Sequence, residues 1–430
     1  MNYEETLNYL YTRMPLYQKE GSKAYKPGLQ NIEALDALCN APHKQFKTIH
    51  VAGSNGKGSV SHTIAAILQS AGYKTGLYTS PHLTDFRERI RVNGEKIPHD
   101  YIINFTQQLK DEAEKISPSF FEWITELAFS YFASQNVDVA VIESGLGGRL
   151  DSTNIINPTL SIITNISLEH TYLLGDTYKA IATEKAGIIK KETPVVIGEW
   201  DDRYADVFIE TAKRNNSQIE FAEKCMPITK HEFSENGTLK LWCNKYSELI
   251  FALGGTYQIK NASTILQSVE QLIKQGYKIT EEHIRNGFAQ VTKLTGLRGR
   301  WEIIQTSPTV ICDTGHNVGG ITYTAKQIAS QKSGKLHIVF GMVNDKDTEG
   351  VVSLLPKDAI YYFTQPSNQR AMGAETISLI GESHNLKGKA FSSVKEAYIN
   401  ALSSANNEDT IYVGGSTFVV ADLLEYLESI

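Results

Sequence analysis

The sequence predicts an α/β protein in which parallel strands are covered by helices, with a second, smaller α/β unit after the first. Three observations carry this expectation. Short β-rich runs alternate with longer helical stretches, the pattern of βαβ units whose strands are buried on both faces. The chain has 430 residues, which at about 150 residues per domain leaves room for two or three domains. The alternation breaks at the turn-rich segment LTGLRGR (294–300) and then restarts.

Taken in order, residues 48–52 read as a buried strand and 59–70 as the helix that follows it. Residues 76–79, 137–142, 160–165 and 194–198 read as further strands of the same sheet. The segment 228–253 differs: HEFSENGTLKLWCNKYSELIFAL alternates around Asn236-Gly237, a strong hairpin signal. It is expected as two or three antiparallel strands that decorate the first domain and close one side of it. Helical periodicity returns at 261–274. Beyond the break, strands are expected at 309–312, 336–340, 359–363 and 410–413. The expected domains are therefore 1–297 and 298–430, the second of ordinary domain size.

Composition excludes other classes. Hydrophobic residues make up 41% and charged residues 21%, so wholesale disorder and fibrous repeats are ruled out. Lysine and arginine total 42 against 48 acidic residues, a net charge of −6, which argues against a nucleic-acid binder. No apolar run approaches the roughly 18 residues of a membrane span. The start, MNYEETLNYLYTRMP, is acidic and has no signal-type apolar region. Cys39, Cys225, Cys243 and Cys312 stand far apart, with no CxxC pair. A soluble, cytoplasmic protein with no nucleic-acid and no membrane partner is expected, most simply as a monomer.

The most informative stretch is TIHVAGSNGKGSVSHTIAAIL. A buried strand runs into a Gly-rich turn and then a helix. Gly53, Gly56 and Gly58 let the backbone approach phosphate oxygens, while N–H groups and the helix dipole supply positive potential. Lys57 would reach the terminal phosphates, and the Ser59 hydroxyl would contact phosphate or Mg²⁺. The spacing departs from G-x-x-x-x-G-K-[ST], because residue 51 is Val and Gly58 separates Lys57 from Ser59. A plain tight turn is the alternative; the strand–loop–helix context favours nucleotide binding.

A second Gly-rich stretch, SGLGGRL (144–150), follows the strand VDVAVIE. A dinucleotide fingerprint fails there, since its third glycine would fall on Leu150. Glu143, ending a buried strand, suits a Mg²⁺ ligand beside phosphates, with a loop-capping carboxylate as an equal alternative. Three more strand ends carry polar groups: Thr79-Ser80-Pro81-His82, Ser167-Leu168-Glu169-His170 and Asp313-Thr314-Gly315-His316-Asn317. Ligands of open α/β sheets collect at such carboxyl ends. Arg87, Arg89 and Arg91 alternate, so an extended segment would put them on one face, read as a solvated edge rather than a basic substrate rim.

Together GSNGKGS, YTSPHL, FRERIRVNGE, FFEWITELAF, IESGLGGRLDSTN, SLEHTYLLGDT, EKAGIIK, GLRGRWE and DTGHN resemble, in this order, the bifunctional dihydrofolate synthase/folylpolyglutamate synthase family of the Mur ligase superfamily. The resemblance runs from about Leu7 to the C-terminus. It implies a P-loop NTPase-like parallel-sheet domain with a small antiparallel β insertion, followed by a smaller Rossmann-like α/β domain, with catalysis in the cleft between them. It implies that ATP phosphorylates a pterin carboxylate and that L-glutamate then attacks the acyl phosphate. By motif, Gly53, Asn55, Gly56, Lys57, Gly58 and Ser59 would bind ATP, with Asn261, Arg300 and Asp313. Ser80, Glu143 and His170 would ligate Mg²⁺. Phe121, Glu122, Thr125, Leu150, Asp151, Ser152 and Thr153 would line the pterin site. His316 and Ser416 would lie near the incoming glutamate. Lys185 of EKAGI would carry a carbamate that reaches a metal. The implied substrates are dihydropteroate, folates and L-glutamate. Competing expectations are a Mur-type ligase acting on a cell-wall precursor and a slow nucleotide switch.

Overall fold

The apolar run at the end of the first Gly-rich motif's strand forms β1 (Lys47–Ala52), a central strand of an eight-stranded sheet in the computed structural model, which describes residues 1–15, 28–234, 237–330 and 334–430. The other strands are β2 (Thr75–Tyr78), β3 (Ile90–Val92), β4 (Glu95–Lys96), β5 (Val139–Glu143), β6 (Leu160–Ile163), β7 (Val195–Ile197) and β8 (Ile219–Phe221). Their spatial order is β4-β3-β2-β5-β1-β6-β7-β8. Neighbours from β2 to β8 pair in parallel, and only the β2–β3 and β3–β4 pairs are antiparallel. The helix Lys57–Ser70 begins at Lys57, two residues earlier than expected, because Gly56 in the left-handed region ends the loop there. It packs on β1, β2 and β5 with Val60, Ile64 and Ile67 fully buried.

The opposite sheet face carries two apolar clusters. One gathers Tyr78, Ala140 and Ile142 with Trp123, Leu127 and Phe129. The other gathers Ala52, Ile163, Val195 and Ile197 with Ile181 and Phe208. Between them lie His50 and Ser161, paired in register.

Residues Ile228–Phe233 (β9), Leu239–Cys243 (β10) and Leu249–Phe251 (β11) form a three-stranded sheet in the order β11-β10-β9. Asn236 of the expected turn lies outside the described residues; Gly237 N donates to the Ser234 carbonyl at 2.9 Å.

The chain divides into two units: Met1–Lys230 with Leu241–Ile250 and Lys260–Gly296, and His231–Lys240 with Phe251–Ile259 and Leu297–Ile430. The expectation that the whole 228–253 segment decorates the first domain is thereby corrected. The reason is local bonding: Gly237 abuts Ile303, while Thr256 N and the Gly254 carbonyl hold the Gln327 amide at 2.6 and 2.9 Å.

The second unit holds β12 (Glu302–Thr306), β13 (Thr309–Asp313), β14 (Leu336–Phe340), β15 (Ile360–Thr364), β16 (Lys387–Phe391) and β17 (Thr410–Gly414). Their order is β12-β13-β17-β14-β15-β16, with only the β12–β13 pair antiparallel. Its core includes Ile311, Phe340, Tyr361 and Tyr412. No helix among the described residues is long and apolar enough to cross a membrane.

The arginine expectation also needs correction. Phe86–Arg89 is a 3₁₀ turn closed by an Asp85–Glu88 capping box, so Arg87 and Arg89 do not share an extended face. Arg89 and Arg91 are buried rather than solvated, Arg89 donating to His82 Nδ1 (2.7 Å) and Arg91 to the Gly94 carbonyl (2.9 Å).

Candidate active site

The first Gly-rich loop is shaped by steric necessity. Gly53 (φ +143°) and Gly56 (φ +85°) occupy conformations that suit glycine. A Cβ on Gly53 would lie 1.9 Å from Thr164 Oγ1, and one on Gly56 would lie 2.3 Å from Asn261 Oδ1. Asn55 is pinned on three sides: its N–H donates to Asn165 Oδ1 (2.9 Å), its carbonyl accepts from Thr164 Oγ1 (2.5 Å), and its amide donates to Ser167 Oγ (3.2 Å). Gly58 and buried Ser59 form the first turn of the helix Lys57–Ser70. The loop thus leads into a helix N-terminus, where amide dipoles favour an anion.

Two lysines meet at this loop. Lys57 Nζ donates to the Gly53 carbonyl at 2.8 Å and the Ser54 carbonyl at 3.3 Å. Lys185, in the last turn of the helix Tyr178–Ala186, donates to the same Gly53 carbonyl at 2.8 Å and to Glu169 Oε1 at 2.8 Å. The Lys185–Glu169 pair is almost fully buried. Burial lowers the Lys185 ammonium from its usual range, opposed by Glu169 and reinforced by Lys57. Burial alone would raise Glu169, but Lys185, Lys57 and His170 hold it well below the ordinary carboxylate range.

The parallel register aligns neighbouring strand ends beside the loop. Glu143, the last residue of β5, is buried and pairs with Val51 of β1. Ser80 lies two residues beyond β2, the next strand. His170, following β6, sits at φ +46° and its carbonyl begins the short helix Thr171–Leu174. Among the described residues no three His, Cys, Asp or Glu side chains converge as a metal cage. One carboxylate, one imidazole and one hydroxyl fit a hard divalent cation that takes its remaining ligands from phosphate and water.

The pterin candidates fall on the helix Phe120–Ser134 and the turn after β5. Phe121 packs against Gly145, where a Cβ would come within 2.5 Å of its ring, and lies 5.9 Å from the Tyr78 ring. Thr125 Oγ1 donates to the Phe121 carbonyl (2.8 Å) and lies 3.1 Å from Tyr78 OH. Glu122 spends its carboxylate on a capping box with Ser119, accepting Ser119 N at 2.6 Å, and on Asn31 at 3.3 Å. Asp151 is buried, and burial raises its carboxyl against several hydrogen bonds, including Leu146 N at 2.7 Å and Thr153 N at 3.0 Å. Leu150 is half-buried, whereas Ser152 and Thr153 are buried in the 3₁₀ turn Ser152–Ile155.

In the second unit Asp313 ends β13 beside Gly414 of β17. Its carboxylate accepts from Trp301 N (2.8 Å), Gly315 N (2.8 Å) and Tyr257 OH (2.5 Å). Burial raises its pKa against those bonds. Arg300 donates to Thr314 Oγ1 and the Gly299 carbonyl. His316 Nδ1 lies 3.0 Å from the Thr314 carbonyl, which assigns the ring proton to Nδ1 and makes Nε2 the basic nitrogen. Ser416, two residues beyond β17, caps the helix Thr417–Glu428 through Phe418 N.

The structure therefore gathers Gly53, Asn55, Gly56, Lys57, Lys185 and Asn261 at one loop of the first unit, and Arg300, Asp313 and His316 at one strand end of the second. Sequence reasoning assigned no role to Glu169, Thr164, Asn165, His50 or Tyr257. Glu169 had a signal, a carboxylate in a strand-end motif; the others show their partners only once the strands are paired.

Residues 51–269 match the Mur ligase middle domain family, and residues 299–417 match the Mur ligase, glutamate ligase domain family. The chain is 33% identical to the Escherichia coli dihydrofolate synthase/folylpolyglutamate synthase over 95% of its own length and 93% of that protein. Among solved structures it is similar to E. coli FolC in complex with DHPP and ADP, at 30% identity and a TM-score of 0.87, covering 100% of this chain and 98% of that one. It is also similar to the Yersinia pestis folylpolyglutamate synthase/dihydrofolate synthase complexed with AMPPNP and Mn ion, at 28% identity and a TM-score of 0.82, covering 100% and 98%. The fold, the loop between β1 and its helix, and these near-full-length matches agree: the chain belongs to the dihydrofolate synthase/folylpolyglutamate synthase family of Mur ligases.

Proposed function

We propose that this chain ligates L-glutamate to dihydropteroate and to tetrahydrofolate (poly)glutamates, driven by ATP through an acyl phosphate. The observation that carries the reading is the loop of residues 53–59, where the Lys57 ammonium stands over the Gly53 and Ser54 carbonyls at a helix N-terminus. Such a concentration of positive charge serves a polyphosphate and the charge that develops during its transfer.

The pterin carboxylate attacks the terminal phosphorus of ATP, and ADP leaves. Lys57 neutralises the transferring group, while the backbone of Asn55, Gly56, Gly58 and Ser59 cradles the remaining phosphates. Asn261, Arg300 and Asp313 hold the rest of the nucleotide. Ser80, Glu143 and His170 are the residues we assign to a divalent cation, which when bound neutralises phosphate charge and orients the transfer. Phe121, Thr125 and residues 150–153 face the pterin. Glutamate's amine then attacks the acyl carbon, inorganic phosphate leaves, and His316 Nε2 accepts the amine's proton; Ser416 helps to place the amino acid. A carbamate on Lys185 belongs to the same reading: burial favours a neutral amine that takes up CO₂. The ion pair with Glu169 must open for it to form. Intact mass with an increment of one CO₂, lost on Lys185→Arg, is the expected sign.

The test is ADP release from purified protein, ATP, Mg²⁺ and L-glutamate, with dihydropteroate, a tetrahydrofolate or a UDP-sugar peptide as acceptor. ADP forms only when a pterin acid and glutamate are both present. Turnover with the UDP-sugar peptide and none with a pterin overturns the reading.

A further inference from the structure

Between the two apolar clusters of the large sheet lies the start of a polar chain, His50, which the chemistry above leaves unused. His50, in β1, is completely buried. Its Nε2 lies 2.8 Å from Thr153 Oγ1, and Thr153 Oγ1 lies 2.5 Å from Asp151 Oδ1. Both Asp151 oxygens already accept amide protons, Oδ1 from Thr153 N and Oδ2 from Leu146 N. The Thr153 hydroxyl therefore donates its one proton to Asp151 and accepts from His50, so the ring proton sits on Nε2. His50 Nδ1 is then a bare acceptor, buried and without a partner.

An orphaned acceptor in a core is unfavourable and calls for an explanation. A leucine at residue 50 would fill the space between the clusters with no orphan. The imidazole offers what leucine cannot, a donor that fixes the direction of the Thr153 hydroxyl. Asp151 in turn ties the Gly-rich turn, through Leu146 N, to the 3₁₀ turn Ser152–Ile155. Other groups facing His50 do not compete for this role. Ser161 Oγ donates to the Ile188 carbonyl (2.7 Å), and Lys190 Nζ donates to the Asn154 carbonyl (2.8 Å).

We infer that His50 is a positioning residue for the pterin substrate: by donating to Thr153 it locks Asp151, and with it the loop 144–153 that faces the pterin. The inference rests on the proposed function for its substrate. Burial, with Lys190 nearby, pushes the imidazole down to about 3, so the ring stays neutral and the donor–acceptor order is fixed over the working pH range.

Three variants test it: His50→Gln, whose amide N–H can replace Nε2, His50→Leu, and Thr153→Val. In His50→Leu the KM for dihydropteroate rises about tenfold, the scale of one lost buried hydrogen bond, while the KM for ATP stays within about twofold. His50→Gln restores the wild-type value. By hydrogen exchange, the Leu146 and Thr153 amides open about tenfold faster in His50→Leu and at the wild-type rate in His50→Gln. Thr153→Val, which breaks the same chain at the hydroxyl rather than at the ring, shows the same loss of Leu146 protection even if His50→Leu fails to fold. Unchanged Leu146 exchange in Thr153→Val, or equal rises in both KM values in His50→Leu, overturns the inference. If wild-type protein uses no pterin, the proposed function fails, and the exchange measurements still decide whether His50 locks the loop.

Discussion

Two strand-end clusters solve opposite electrostatic problems. At the loop after β1, Lys185 and Glu169 form an almost fully buried ion pair, and half-buried Lys57 shares the Gly53 carbonyl with Lys185. At the end of β13, Asp313 is a single carboxylate satisfied by backbone amides and a phenol. The first cluster balances two buried charges, Lys185 and Glu169, against each other, so removing either one exposes the full penalty of the other. The second spreads one charge over several donors, so each can be lost at modest cost. All-or-none behaviour is expected of the first and graded behaviour of the second.

The largest effect that sharpens this contrast is Lys185→Ala. It leaves Glu169 buried without its ion-pair partner, and breaking a buried pair from one side costs about 3–5 kcal/mol. Ligase activity should fall with it. Lys185→Ala combined with Glu169→Ala should recover most of the stability in a urea titration and none of the activity. Recovery of activity in the double variant would show that Lys185 serves the fold only.

Lys57→Ala ranks next and separates charge from scaffold. Its Nζ bonds only to loop carbonyls among the contacts described, so the fold should persist. Losing one preorganised transition-state donor should lower kcat by about a hundredfold or more. Normal kcat in single-turnover measurements would reduce the loop to a turn.

The clusters should also answer acid with opposite signs. The folded pKa of Glu169 lies below its ordinary 4.5, so its contribution is fully present above that value and is lost as pH falls through the lowered one. The folded pKa of Asp313 lies above 3.8, so its burial costs stability at higher pH and the cost is relieved as pH falls toward 3.8. Thermal midpoints measured from neutral to acid pH should therefore fall less steeply in Glu169→Gln than in wild type, and more steeply in Asp313→Asn. Identical slopes in all three would mean that neither carboxyl is perturbed by folding.

The same contrast explains what the sequence disclosed. The Gly53–Lys57 loop was legible because its chemistry is local: strand, glycines, lysine and helix are contiguous, and each glycine has a backbone reason. Most strands were legible from apolar runs, and their ends moved by only a residue or two. Partners supplied by strand pairing were not legible. Glu169 meets Lys185 across 16 residues, Tyr257 meets Asp313 across 56, and His50 meets Thr153 across 103. Arg89 and Arg91 misled for the same reason: their alternation suggested an edge, whereas the capping box at Asp85 turns the chain inward. Glu122, expected to line the pterin site, has its carboxylate on the Ser119 amide, a partner that its motif does not disclose.

Tyr257→Phe is the mildest break and bears most directly on graded behaviour. The phenol donates to Asp313 Oδ2 at 2.5 Å, and burial together with that carboxylate holds its own proton on well above the ordinary tyrosine range. Phenylalanine keeps the ring's packing and removes only this donor. Asp313 then retains Trp301 N on the same oxygen and Gly315 N on the other. A loss of about 1–2 kcal/mol in stability follows, the range of one hydrogen bond to a charged group whose acceptor keeps another partner. If Asp313 holds the nucleotide, a slightly reoriented carboxylate weakens binding without touching phosphoryl transfer. The KM for ATP should rise a few-fold while kcat stays within about twofold. A fall in kcat as deep as that of Lys57→Ala would show that the Asp313 cluster behaves as a single unit, like the lysine loop, and the contrast between the two clusters would be gone.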